Sequence, residues 1–193
     1  MFRKALTGIL LILAVSIVTA SLFAYYPLDI TVVPQQPEVR FVTGSNAGKP
    51  DIGGNTIIVN IGTSGASASI EIHPTYQETY YKDILGIVNN DNDAMHIYVI
   101  FYTYDNSLPV GNRVKMFVYS GATIVKELDI TTPTLNTAQY IGQLPIGGSW
   151  QIDLYVYIPE GTSITGRSYS ASARLVYTPS SGEAPPINPN SGR

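Results

Sequence analysis

From Ala66 onward the chain alternates apolar and polar residues in one run after another, and no segment beyond the N-terminus keeps a helical period. Ala66, Ala68, Ile70 and Ile72 take one parity and Ser67, Ser69, Glu71 and His73 the other. Period two is the signature of strands with one buried face. Met95, Ile97, Val99 and Phe101 form a second inward row, Val114, Met116 and Val118 a third, and Trp150, Ile152, Leu154, Val156 and Ile158 the cleanest of all. Tyr169, Ala171, Ala173, Leu175 and Tyr177 alternate with Ser170, Ser172 and Arg174. Further strands are predicted near Val39 to Val42, Thr56 to Ile61, Tyr81 to Val88 and Ile124 to Ile130. Turn chemistry separates them at Gly44-Ser45-Asn46, Gly53-Gly54, Asn89 to Asp93, Asp105 to Asn112, Gly147-Gly148 and Pro159-Glu160-Gly161. Short strands about ten residues apart predict an all-β protein, an antiparallel β-sandwich.

The two ends follow different rules. Arg3-Lys4 precedes an apolar run from Ala5 to Ala24, the basic and apolar parts of a secretory signal peptide. Small residues at Val18-Thr19-Ala20 and Leu22-Phe23-Ala24 place the mature N-terminus between Ser21 and Tyr25. Two other readings stay open: a retained anchor, because about 20 apolar residues just span a bilayer, and the Lys4-Ala5-Leu6-Thr7 cut site of an archaeal type IV pilin. The second needs a long helix, which Pro27 opposes. Residues 25–37 read as a lone strand followed by Pro34-Gln35-Gln36-Pro37, a spacer that favours an extended connection over a hairpin. The strand is therefore placed to leave its own domain. Residues 38–177 form the sandwich, and residues 178–193, rich in Pro, Ser, Gly and Asn, are expected to be a disordered tail.

Charge and chemistry narrow the function mainly by exclusion. A net charge of −3 with 13% charged residues and scattered Lys and Arg lacks the footprint of a nucleic-acid binder. Without cysteine, an exported domain of roughly 170 residues must be held by packing, pairing or assembly. Asn60, Asn106, Asn136 and Asn190 each lack the hydroxyl residue two places on that N-glycosylation needs. His73 and His96 sit at polar parity, outside any nucleophile elbow, and no phosphate-binding loop, dinucleotide fingerprint or zinc-protease motif occurs. No catalytic residue, cofactor or metal is assigned. Asn89-Asn90-Asp91-Asn92-Asp93 offers alternating oxygens but has neither the glycine nor the distal glutamate of a calcium loop, and reads as a polar turn.

Tyrosine is the one unusual abundance, with 14 residues. Parity sets Tyr98, Tyr102, Tyr104, Tyr119, Tyr155 and Tyr157 opposite the inward rows. An amphipathic ring offers contact area at small entropic cost, which suits lateral association or carbohydrate contact. The candidates for lateral contact are Tyr98, Tyr102, Tyr119, Tyr155 and Tyr157.

The signal followed by Phe23-Ala24-Tyr25-Tyr26-Pro27, the strand Leu28-Asp29-Ile30-Thr31-Val32, the segment Phe41-Val42-Thr43-Gly44-Ser45-Asn46-Ala47 and the cysteine-free, jelly-roll-like strand series are together similar to the archaeal bundling pilins, relatives of the biofilm matrix protein TasA and of camelysin-like proteins. The resemblance implies a secreted, non-enzymatic subunit of a cell-surface pilus or biofilm fibre. In that family the N-terminal strand of one subunit completes the sheet of the next, so the donor residues would be Tyr25, Tyr26, Leu28, Ile30 and Val32. The partners would be identical subunits in a linear homopolymer and neighbouring filaments in bundles, with no nucleic acid and only transient membrane contact through the signal. A sheet lacking one strand leaves an unpaired edge and an apolar groove, and a donated strand fills both. Leu28, Ile30 and Val32 share the parity such a groove needs, and burying them is worth roughly 5 to 8 kcal/mol before ordering costs. Asp29 has the other parity and stays outside. A head-to-tail contact of this kind does not close on itself and gives a filament. The alternatives are a secreted monomeric adhesive or carbohydrate-binding β-sandwich and a type IV-like archaeal pilin.

Overall fold

The computed structural model describes residues 25–183 and 185–186, so the expected signal peptide, residues 1–24, and the end of the expected tail lie outside the described residues. The chain divides into two units after Gln35. In the first, residues 25–35 belong to no helix or strand, and Tyr25, Tyr26, Leu28, Ile30 and Val32 are all at least 75% exposed. The predicted strand has no ladder here, since a ladder requires a partner.

In the second unit the strands are β1 (Val39–Thr43), β2 (Ile58–Ile61), β3 (Ala68–Glu71), β4 (Gln77–Asn89), β5 (Met95–Asn106), β6 (Arg113–Ser120), β7 (Thr123–Asp129), β8 (Gln139–Leu144), β9 (Ser149–Ile158) and β10 (Tyr169–Thr178). They form a five-stranded sheet ordered β1-β4-β9-β6-β7, a three-stranded sheet ordered β10-β5-β8 and the hairpin β2-β3. Every ladder between named strands is antiparallel. The fold is all-β, as the alternating pattern predicts.

Inward rows from both sheets meet in one core. Ile87, Val118, Trp150, Ile152, Val156 and Ile158 of the larger sheet join Met95, Ile97, Val99, Phe101 and Leu144 of the smaller one, all buried. Burying an aliphatic side chain of this size is worth about 2 kcal/mol, so these rows hold the two sheets together. Two rows are interrupted at their centres. Leu154 and Met116 are cross-strand partners on β9 and β6, yet both are only half-buried while their row neighbours Ile152, Val156, Val114 and Val118 are buried. The reason is a gap between the sheets, described below.

Irregularities have local causes. The β4-β9 register slips between Tyr81 and Leu85, and Asp83 there adopts a positive φ of 47°. Gly44 and Asn46, just past β1, donate their N–H groups to the carbonyls of Ile84 and Asp83 at 3.1 and 3.0 Å. A Cβ on Gly44 would collide with the Asp83 carbonyl, so glycine is what lets the chain dock on this bulge. β8 was not anticipated from the pattern. It is short, and its ladder with β5 slips between Ile97 and Tyr98, where Ile141 is the extra residue. At the other end, Thr178 closes β10 instead of opening the tail, and Pro185 is buried.

Candidate functional site

An apolar groove of about 870 Å³ runs between the sheets. Its floor is Leu154 and Met116 with Val156 and Val114, one lip is β3 with Ile70 to Pro74, and the other lip is β10. The strand order gives β10 a single partner, β5, so one edge of β10 is unpaired among the described residues. Along that edge the inward row continues as Tyr169, Ala171, Ala173 and Leu175, and the two alanines are exposed. Their small side chains do not fill the space that their parity assigns to core. Apolar surface of this extent beside an unpaired edge marks a place where another chain segment or ligand binds.

No protein-family model and no curated protein matches this chain. The groove and the groups around it therefore carry the functional reading.

The five lateral candidates do not share one surface. Tyr98 and Tyr102 belong to β5 in the smaller sheet, whereas Tyr119, Tyr155 and Tyr157 belong to β6 and β9 in the larger one. Tyr98 packs against Tyr140 with ring centroids 5.1 Å apart, and its hydroxyl lies 3.4 Å from the Glu183 carbonyl. Tyr102 is the extra residue where the β5-β10 register slips, and the Arg174 guanidinium sits over its ring at 5.4 Å. Beyond that slip the parity reverses: Tyr104 pairs with Ala171 and so shares its face, contrary to the alternation expected for it. Tyr155 donates to Glu78 at 3.0 Å and is flanked across the ladders by Tyr80 and Lys115. Burial first, then the Glu78 carboxylate, raises the Tyr155 hydroxyl above its ordinary pKa. Tyr157 stands between Glu78 and Arg113. The outer face of the larger sheet is thus aromatic and mixed in charge.

Beside Tyr119 lies a second, smaller cleft of about 490 Å³, lined by Tyr80, Lys82, Tyr119, Gln151 and Asp153 among others. Asp153 is only 2% exposed. It accepts from the Tyr80 hydroxyl, the Asp83 N–H and the Gln151 amide, each at 2.7 Å. Those donors make Asp153 the clasp of the β4 bulge. In the sequence this aspartate has the parity of a surface residue, and nothing beside it marks it as buried.

The histidines are also more engaged than polar parity implies. His73 lies beside Asp51, whose buried carboxylate accepts from the His73 and Ile52 N–H groups, both at 2.7 Å, and from Tyr81 at 3.0 Å. Glu71 is 3.4 Å from the other ring nitrogen of His73. This cluster ties the loop after β1 to β3 and β4. His96 faces the Tyr140 hydroxyl at 3.0 Å. In the Asn89 to Asp93 turn, Asn89 is buried and its amide donates to the carbonyls of Asp93, Leu144 and Pro145. Its side-chain oxygen takes the Asp91 N–H, so the Asn89 side chain is committed to shaping the turn.

Proposed function

We propose that this protein is the structural subunit of an extracellular, bundle-forming fibre, polymerised by insertion of the N-terminal segment of one subunit into the groove of the next. The observation that carries this reading is the open apolar groove beside the unpaired edge of β10. A sandwich of this size gains by closing such a gap, because the half-buried floor residues Leu154 and Met116 would then lose their remaining exposure. The segment with the matching chemistry is in the chain itself. Leu28, Ile30 and Val32 are apolar, share one parity and are exposed. Insertion supplies ladder hydrogen bonds to β10 and apolar side chains to the floor in one step. The contact joins two different surfaces of the same molecule, so repeating it produces a filament.

The test is deletion of Tyr25 to Val33. Those side chains are exposed, so the truncated chain keeps its own core. It is expected to fold, to form no filaments, and to bind a synthetic peptide of residues 25–35 with a rise in Tm. The same peptide carrying Ile30→Asp is expected to produce no shift, because an unpaired carboxylate would enter an apolar groove. Assembly of the truncated chain at the wild-type level would overturn the proposal. The second reading, a monomeric carbohydrate-binding sandwich, is favoured by one feature, the cleft of Tyr80, Tyr119, Lys82 and Gln151. It predicts dispersed particles by negative-stain microscopy where the fibre reading predicts filaments.

A further inference from the structure

We infer that Asp29 of one subunit pairs with Arg174 of the next, and that this pair fixes an antiparallel register for the inserted strand; the inference rests on the donor-strand reading above. The segment Tyr25 to Val33 contains a single charged residue, Asp29, and β10 contains a single charged residue, Arg174. Arg174 lies on the rim of the groove with the parity opposite to Ala173 and Leu175, and Asp29 has the parity opposite to Leu28 and Ile30, so an inserted strand brings the two to the same face. Arg174 is exposed, its guanidinium is held over the Tyr102 ring, and it forms no salt bridge among the described residues. A cation already oriented by an aromatic ring loses little freedom when a carboxylate arrives.

Placing Asp29 opposite Arg174 in an antiparallel ladder has three consequences that need no further adjustment. Leu28, Ile30 and Val32 then lie opposite Leu175, Ala173 and Ala171, so the two β-branched residues meet the two exposed alanines. Tyr25 lies opposite Thr178 and Pro34 opposite Tyr169, so the segment covers β10 from end to end. A slip of two residues in either direction breaks the charge pair and leaves part of the edge uncovered. Pro34, which has no N–H to donate, falls at the end of the ladder where its absence costs least, and Pro27, inside the ladder opposite Val176, requires the odd-numbered residues of the insert to be the non-hydrogen-bonded positions.

Direction also decides between self-filling and polymerisation. In the antiparallel register Val33 lies beside Ser170. β1 starts at the opposite end of the sandwich, because Val39 pairs with Asn89 and Thr178 with His96, both next to the turn joining β4 and β5. From Ser170 to Thr178 β10 rises about 26 Å, and the spacing between packed sheets adds about 10 Å across. The chain from Val33 to Val39 spans at most about 22 Å. An antiparallel insert cannot come from the same subunit and must come from another.

The experiment uses the full chain with assembly followed by sedimentation. Asp29→Arg and Arg174→Asp, made singly, set like charges opposite each other and are expected to raise the concentration needed for assembly about fivefold; the double exchange is expected to return it to within about twofold of wild type. Ile30→Asp serves as the control for the underlying reading. If Ile30→Asp blocks assembly while the single exchanges have no effect, or the double exchange does not rescue, insertion stands and the Asp29–Arg174 pair is wrong. If Ile30→Asp assembles like wild type, the donor-strand reading itself falls. With no native cysteine, Asp29→Cys combined with Arg174→Cys reports the neighbour directly. Oxidation is expected to give a ladder of disulfide-linked oligomers on a non-reducing gel. A cross-linked monomer, or cross-linking of Asp29→Cys with Ser172→Cys instead, would overturn the direction or the register.

Discussion

A buried aspartate on a strand with surface parity, Asp153, holds three donors at 2.7 Å and is the residue on which the β4 bulge depends. Asp153→Ala takes the acceptor from the Asp83 N–H and the Gln151 amide, while the Tyr80 hydroxyl keeps Tyr119 at 3.1 Å, and is expected to cost about 1 to 3 kcal/mol in urea unfolding. Asp51 makes a different prediction. Burial pushes its carboxyl up, but donation from Ile52, His73 and Tyr81 outweighs burial and holds it below the ordinary value of 3.8. Asp129 is lowered in the same direction: burial opposes, while Thr131, Lys115 and Arg113 prevail. A carboxylate with a depressed folded pKa contributes stability that is fully present above the unfolded value and is lost as pH falls through the folded one. Thermal melts are therefore expected to be flat from pH 7 to about 5 and to fall below about pH 4. Asp51→Asn should be less stable at pH 7 and show a shallower acid decline.

At the level of elements, the docking of the segment after β1 on the β4 bulge has a single weak point. Gly44→Ala drives a methyl group into the Asp83 carbonyl and is expected to cost at least about 2 kcal/mol, whereas Gly182→Ala meets nothing and should leave Tm unchanged. The inward rows of β5, β6 and β9 were legible because period two survives wherever one face is buried and one is wet. β8 was not legible. A Cβ at Gly142 would lie 2.8 Å from Val125 and 3.4 Å from Trp150, so its glycine reflects close approach between elements rather than a turn. The reversal at Tyr104 was equally hidden, because a bulge in one ladder changes parity without leaving a mark in the local pattern.

At the scale of the whole molecule, the open groove predicts that the subunit can be closed from within. Ala173→Phe, at an exposed inward position of β10, is expected to fill the groove, leaving Tm no lower than that of the truncated chain while removing uptake of the peptide of residues 25–35. Bundling belongs to a different surface. Tyr155 and Tyr157 lie on the outer face of the larger sheet, with Glu78, Arg113 and Lys115 across the ladders. Replacing both by Ser is expected to leave single filaments intact and to disperse bundles in electron micrographs, with circular dichroism checking the fold. Bundles of unchanged thickness would move the lateral contact to another face, such as that of Tyr98 and Tyr140.

Alternation along the chain by itself determined that the fold is all-β, the inward rows of β6 and β9 and of β5 up to its bulge, and that Leu28, Ile30 and Val32 form an apolar row, because side-chain parity is a property of neighbours in sequence. Only the tertiary structure decided that Leu154 and Met116 floor a groove, that β10 has a free edge, and that Arg174 stands over Tyr102 beside it. Strand order and the gap between two sheets depend on contacts between residues far apart in the chain, and the local pattern of a strand is the same whether its outer edge is paired or open.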